Sequence, residues 1–352
     1  MTRKTRQINL GNIKIGRGAP ISIQSMTNTD TRDINITLRQ IRALKNAGCE
    51  IVRIAVKDAD SARAIAKIKK NVSVPIEADI HFDYKLALLA AESGVDAIRI
   101  NPGNICKPVD VMRIIAVCKR KKIPIRIGVN SGSLPKSKDT GPVADKMVKT
   151  ALRYIKLFEK ERFYDIMVSL KASDVITTIA AYRKMAALCK YPLHLGVTAT
   201  GEGKEAIIKS AIGIGALLSE GIGDTIRVSM TGDPVQEVFI GKEILQALGL
   251  RRFRHEVIAC PTCGRCQVNL ERIVKQAKKQ LAIYNLHHPT KRFYSIAIMG
   301  CEVNGPGEAK EADIGIAFGK NSGMLFEKGR IVRKVKAKDA VKELLGLLKI
   351  KD

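Results

Sequence analysis

"IVRIAVKDADSARAIAKIKKNVSVPIEADIHFDYKLALLAAESGVDAIRIN", residues 51–101, alternates two kinds of pattern. The runs "IVRIAV" (51–56), "PIEADI" (75–80) and "AIRIN" (97–101) are short, apolar and rich in β-branched residues. Between them, apolar residues recur at helical spacing, as in "YKLALLAAESG". The alternation continues in both directions through "ISIQSM" (21–26), "PIRIGVN" (124–130), "DIMVSLKA" (165–172), "PLHLGVT" (192–198) and "TIRVSM" (225–230), giving eight runs. Gly48, Gly94 and Gly221 follow apolar helix ends, where a residue of positive φ is wanted. Strands that alternate with helices are parallel strands. Eight such units predict an α/β protein with a closed (β/α)₈ TIM barrel over residues ~20–248. An open doubly wound sheet is the alternative. It lacks its phosphate loop, since the nearest match to G-x-G-x-x-G, "GEGKEA" (201–206), is misplaced and has no last Gly.

The chain has 352 residues, enough for a barrel of ~250 residues and a smaller domain. The expected domains are 1–250, the barrel, and 251–352. After "GKEILQALGL" the pattern changes. "RRFRHEV" (251–257) reads as a charged linker. A small α+β domain follows, with a helix at ~268–282, two strand-like runs, "FYSIAIMG" and "ADIGIAFG", and a basic helix at ~338–349. No apolar run approaches the ~20 residues of a membrane span. The start, "MTRKTRQINLGNIKIG", has no apolar signal-peptide core, so a cytoplasmic location is expected. Eight cysteines in a chain of this length do not form a secreted disulfide framework, and clustered thiols in a reducing compartment are ligands or catalytic groups. The net charge of +27 calls for an anionic partner. Nucleic acid is disfavoured, because aromatics are 4% with no Trp and stacking platforms are scarce. An acidic protein or a phosphorylated substrate fits.

Strands of an all-parallel barrel are buried on both faces and should be almost continuously apolar. Four of them break that rule alike, with Arg53, Arg99, Arg126 and Arg227 flanked by Ile or Val. Asp79, His81, Ser169, Lys171, His194 and Thr198 add further polar groups. Because side chains alternate along a strand, Arg99 and Asn101, Ser169 and Lys171, and Arg227 and Ser229 form pairs that point the same way. Glu77 and Asp79 are the only strand acids, too few to neutralise four Arg and a Lys. An anion pocket is therefore expected, with planar guanidinium forks for phosphate oxygens. That many cations suits a diphosphate better than a single phosphate.

Cys260, Cys263 and Cys266 lie in "CPTCGRC", and Cys301 in "GCEVNGPGEA". A Cys₄ zinc site and a [4Fe–4S] cluster both use C-x₂-C turns of this kind. The Gly/Pro-rich loop after Cys301 carries Glu308, and a non-thiolate ligand leaves one iron of a cluster exchangeable. That loop tilts the balance towards the cluster. Cys49, Cys106, Cys118 and Cys189 read as ordinary residues.

Together "QSMTNTDT", "ADIHFDYKLAL", "IRINPGNI", "IPIRIGVNSGSL", "VSLKASD", "PLHLGVT", "KSAIGIGALLSEGIGDTIRVS", "ACPTCGRC" and "GCEVNGPGEA" resemble, in order and over nearly the whole chain, the family of 4-hydroxy-3-methylbut-2-enyl diphosphate synthases. These are iron–sulfur enzymes of the non-mevalonate isoprenoid pathway. The resemblance implies a TIM barrel followed directly by a cluster domain, the short bacterial form. It implies two-electron reductive ring opening and dehydration of 2-C-methyl-D-erythritol 2,4-cyclodiphosphate. It implies a [4Fe–4S] cluster on Cys260, Cys263, Cys301 and Glu308, with Glu308 displaced as substrate binds and Asn304 nearby. The implied diphosphate set is Arg53, Arg99, Arg126, Asn130, Ser169, Lys171, Arg227 and Ser229, with His81 at the rim. A flavodoxin or ferredoxin donor and a homodimer, one subunit's cluster domain over its partner's barrel, are implied as well. The sequence departs from the family in two places. The family's "VTEAG" reads "VTATGEG" here, so Ala199 replaces an acidic residue used in proton handling, and Glu202, His81 or a water would take that role. The pattern also does not demand a cysteine at Cys266, which becomes a bystander.

Overall fold

The computed structural model describes residues 3–135, 140–287 and 292–349. The chain divides into two compact units between Arg251 and Arg252.

The first unit contains the eight parallel strands read from the sequence. They are β3 (Ser22–Met26), β4 (Ile51–Val56), β5 (Ile76–Ile80), β6 (Ala97–Ile100), β7 (Ile125–Asn130), β8 (Ile166–Lys171), β9 (His194–Leu195) and β10 (Thr225–Ile226). Their order, β8-β7-β6-β5-β4-β3-β10-β9, is that of a barrel opened at one seam. A parallel bridge between Val168 and Leu193 closes the seam. Between the strands run α1 (Ile34–Ala47), α2 (Ala59–Lys70), α3 (Tyr84–Glu92), α4 (Pro108–Lys121), α5 (Val143–Lys160), α6 (Val175–Leu188) and α7 (Gly203–Ser219), and α8 (Pro234–Ala247) follows the last strand. Asp33, Asp58, Asp174 and Asp233 cap helices by accepting from backbone N–H groups, which fixes each turn into the helix. Gly48, Gly94 and Gly221 have φ of 94°, 84° and 72°, as the sequence predicts.

The sequence reading has no hairpin ahead of the barrel, yet β1 (Ile8–Leu10) and β2 (Ile13–Ile15) pair antiparallel there. Ile8, Leu10 and Ile15 are buried against Ile51, Ala97 and Met167. Those three sit at the starts of their strands, so the hairpin closes the N-terminal end of the barrel. The C-terminal strand ends, with their β-to-α loops, form the open mouth.

The second unit is a five-stranded sheet in the order β11-β12-β13-β14-β15. The strands are β11 (Glu256–Ala259), β12 (Ser295–Met299), β13 (Ile314–Phe318), β14 (Ser322–Glu327) and β15 (Arg330–Lys336). The helices are α9 (Leu270–His287), the short α10 (Gly305–Glu311) and α11 (Ala340–Lys349). The expectation of two strands is corrected to five. Glu256 and Val257, taken as linker, begin a parallel edge strand. The β14–β15 hairpin follows from antiparallel pairing, with Gly329 at φ 78° in the turn. Ile296, Ile298, Ile314, Ile316 and Phe318 bury one sheet face under α9 and α11. No described helix is long and apolar enough to cross a membrane.

Candidate functional site

Inside the barrel the strand charges are brought together. Side-chain alternation puts Glu77 and Asp79 of β5 on the inner face with Arg53, Arg99 and Arg126. Asp79 accepts from Arg53 at 2.6 Å and from Arg99 at 3.1 Å. Glu77 holds Arg126 through both carboxylate oxygens, one of them 3.0 Å from Nε, and Gln24 donates to the same carboxylate at 3.0 Å. Burial raises the Asp79 carboxyl, but Arg53, His81 and Arg99 outweigh it and hold the group well below the usual carboxylate range. Burial lowers Arg126 to about 10, so it stays charged at neutral pH.

The inference that four strand arginines lack acidic partners needs correcting. Arg227 is paired with Glu237, at 3.1 Å and 3.2 Å, and Ser25 donates to Glu237 at 2.8 Å. Glu237 lies on α8, not on a strand, so a count of strand acids misses it. The signal was present: Pro234, Glu237, Val238 and Gly241 share the buried face of the helix, and a carboxylate on such a face needs a buried cation.

The pocket still carries an excess of positive charge. Lys171 is buried at 6% exposure and makes no hydrogen bond or ion pair among the described residues. Burial, then the charges of Arg126, Arg227, Arg53 and Arg99, push its ammonium well below the usual lysine range. Two glycines make room for these cations. A Cβ at Gly196 would stand 2.6 Å from Lys171 Nζ, and one at Gly128 would collide with the Arg99 guanidinium. Ser169 is buried beside Gly128, and Asn130 pairs in register with Lys171 at the end of β7. Ser229 is partly buried just beyond β10. His81 is half exposed at the end of β5, with Nε2 3.1 Å from Asp79 and Nδ1 3.4 Å from Asn104.

Glu202 is exposed immediately before α7, in a loop where Ala199, Gly201 and Gly203 all have positive φ. No hydrogen bond joins it to the strand charges. His194, also among the strand polar groups, lies deeper. It bonds Thr225 at 2.7 Å, its Nε2 has no partner, and burial keeps the ring neutral.

The second unit has its own cavity, of about 240 Å³. Cys260, Cys263, Cys301, Asn304 and Glu308 all line it. The sequence brings them there from two loops, after β11 and between β12 and α10, and from α10 itself, which carries Glu308. Cys301 follows β12 after Gly300, and the backbone N–H groups of Asn304, Val303 and Gly305 lower its thiol pKa. The Gly300 N–H donates to Cys260 Sγ at 3.3 Å. Cys266 does not line the cavity, and its thiol donates to the Val268 carbonyl at 3.2 Å.

No three of these donors converge on one point among the described residues. Three thiols and a carboxylate around one cavity are a donor set used by Cys-rich metal sites and iron–sulfur clusters alike.

The two units match two family descriptions in order, "GcpE TIM-barrel domain" over residues 5–242 and "GcpE protein C-terminal domain" over residues 256–350. The chain belongs to the GcpE family. The resemblance read from the motifs agrees with this assignment. Among relatives, the chain is 54% identical to the 4-hydroxy-3-methylbut-2-en-1-yl diphosphate synthase (flavodoxin) of Thermodesulfovibrio yellowstonii, covering 97% of each chain. It is 53% identical to the enzyme of the same name from Clostridium perfringens, covering 99% of each. Of solved structures, dihydropteroate synthase from Stenotrophomonas maltophilia superposes with TM-score 0.53 at 13% identity, over 71% of this chain and 100% of that one. The Yersinia pestis dihydropteroate synthase gives 0.51 at 10% identity, over 69% and 97%. These likenesses concern the barrel fold alone. This GcpE member thus joins a TIM barrel with a cationic interior to a sheet domain with a thiol-lined cavity.

Proposed function

We propose that the protein is an oxidoreductase that reduces 2-C-methyl-D-erythritol 2,4-cyclodiphosphate to 4-hydroxy-3-methylbut-2-enyl diphosphate, a step of non-mevalonate isoprenoid synthesis. The substrate takes up two electrons and two protons, its ring opens at a carbon–oxygen bond, and one water leaves. The observation that carries the reading is Lys171, a buried amine without a counter-charge, its proton disfavoured by burial and by four carboxylate-paired arginines. Such a group is costly unless an anion arrives to pair with it. The names of close relatives supply the identity of that anion.

Arg53, Arg99, Arg126, Lys171 and Arg227, with Asn130, Ser169 and Ser229, hold the diphosphate. Ring opening frees a phosphate oxygen and increases its negative charge. Fixed cations that already exceed the local carboxylates stabilise that charge as it develops. His81, on Asp79, and Glu202, at the mouth, handle the protons, including the one that lets hydroxide leave as water. Ala199 cannot do so. Cys260, Cys263, Cys301 and Glu308 would hold a [4Fe–4S] cluster beside Asn304. When bound, it supplies single electrons and an exchangeable iron.

Flavodoxin, named in the relatives' titles, is the electron donor, the active form is a homodimer, and the location is cytoplasmic. Anaerobic turnover of the cyclodiphosphate with reduced flavodoxin, and separately with reduced ferredoxin, tests the reading. Product with flavodoxin is expected. Cluster-loaded, reduced protein that leaves the cyclodiphosphate unchanged would sink the assignment. Full activity from a particle that stays monomeric in light scattering would remove the dimer.

A further inference from the structure

A second groove in the sheet unit, about 810 Å³, has no part in the chemistry above. Arg272, Lys320, Lys336 and Lys338 line it, and no carboxylate does. These four come from separate places: the first turn of α9, the turn between β13 and β14, the end of β15 and the residues leading into α11. All four are exposed, and none makes an ion pair with a described carboxylate. The nearest acids along the chain are already engaged, Glu271 with Lys275 and Glu343 with Arg333. Other cations of the sheet unit are unpaired too, but here four from separate elements line one groove that holds no carboxylate.

The groove is wired to the thiol cavity. Gln267 lines it, and the Gln267 N–H donates to the Gly300 carbonyl at 2.8 Å. Gly300 in turn donates its own N–H to Cys260 Sγ at 3.3 Å. One residue and two hydrogen bonds therefore connect the groove wall to a thiol of the cavity. Gly300 itself cannot be larger, since a Cβ there would stand 2.5 Å from Cys266 Sγ.

Resting on the function proposed above, we infer that this groove is the docking site of the electron donor, a small acidic redox protein of the flavodoxin type. Unpaired cations steer an acidic partner and orient it without large buried area. The hydrogen-bonded path gives the electron a short covalent and hydrogen-bonded route to Cys260. Each docking passes one electron and leaves the donor oxidised by one. Two encounters supply one turnover.

The test uses full-length, cluster-loaded protein, with iron content and visible spectrum checked for every variant. Arg272→Glu with Lys338→Glu is compared with Arg42→Glu plus Lys67→Glu, the same charge change on exposed barrel helices. The groove pair should raise the KM for flavodoxin at least about tenfold and flatten its salt dependence. Turnover driven by dithionite, which needs no docking, should be unchanged. Should the pair fail to load, Lys320→Gln with Lys336→Gln is compared instead with Arg42→Gln plus Lys67→Gln.

The inference is overturned if the groove pair accepts electrons from flavodoxin as well as the unaltered protein does. An equal loss in the barrel pair overturns it too, because net charge alone would then explain the effect. Competition by a short RNA as strong as that of flavodoxin would make the groove a general polyanion site. If dithionite drives turnover and flavodoxin never does, the donor assignment itself fails, and the docking site falls with it.

Discussion

The barrel pocket and the thiol cavity are built on opposite plans. In the barrel, the charged side chains stand on or next to strands and on α8, are buried or partly buried, and brace one another: Arg53 and Arg99 on Asp79, Arg126 on Glu77, Arg227 on Glu237. Most of the polar set is paired before any ligand arrives, the exceptions including Lys171, Arg53 Nε and His194 Nε2. In the cavity, the donors stand on loops and at the start of a short helix, and little but backbone N–H groups holds them. A preset pocket accepts a variable charged substrate without rearranging. A cavity of loops is organised by the group it encloses, as is usual where metal binding is coupled to folding.

The largest effect that would break this contrast is at the cavity. Cys263→Ser should abolish cluster loading and turnover, whereas Cys266→Ser should leave iron content and visible absorption as they are. Loss of the cluster from both would mean that the third thiol of "CPTCGRC" shares the site.

At the barrel, Asp79→Asn leaves two buried guanidinium groups one charge short and should cost about 3–5 kcal/mol in urea unfolding of the barrel. The pH dependence sharpens the point. Asp79 has a folded pKa below its ordinary 3.8, so its contribution is full above that value and is lost as pH falls through the folded one. The variant should therefore lose acid sensitivity along with stability. A loss under about 1 kcal/mol would show that the arginines are solvated rather than braced.

Lys171→Met should move in the other direction, stabilising the ligand-free barrel by about 1 kcal/mol while weakening inorganic diphosphate binding roughly 100-fold. In the unaltered protein, diphosphate should raise the lowered Lys171 pKa and draw in a proton. Calorimetry in two buffers of different ionisation enthalpy measures that uptake. Binding without proton uptake would mean the ammonium is already charged in the free pocket.

How much of this was legible beforehand follows from the same contrast. Each strand–helix unit of the barrel is written in local periodicity, so its eight strands could be read directly. The two shortest, His194–Leu195 and Thr225–Ile226, keep only two residues each of the runs read there. Pairing across the barrel was not legible, because Glu237 reaches Arg227 from a helix. The hairpin of β14 and β15 was missed for another reason. β15 is an edge strand, Ile331 and Val332 are exposed on it, and its basic residues hide the alternation that a strand usually shows. The cavity donors were legible because cysteines so spaced have few other uses, although the spacing alone left zinc and iron–sulfur open.

At the mouth, one large and one small effect are expected. Glu202→Ala should lower kcat by roughly 100-fold if that carboxylate handles protons. Ala199→Glu should change stability by less than about 0.5 kcal/mol, because an exposed L-residue already holds φ 51° there. Adding Ala199→Glu to Glu202→Ala and recovering kcat would show that the two positions are interchangeable. No recovery would show that a carboxylate at 199 cannot replace Glu202, and no loss in Glu202→Ala itself would leave the proton to His81.

The hairpin at the closed end has a consequence for how the chain is born. Arg3 bonds the backbone of Ala186 and Tyr191, 183 and 188 residues further on, and Arg6 bonds Lys190. Ile8 and Leu10 pack on Met167. The hairpin thus leaves the ribosome long before residues 167–191 that it packs on, and must wait, apolar and unpaired, until most of the barrel has been translated. Closing so long a loop slows folding. That hairpin is where a nascent-chain chaperone would have most to hold.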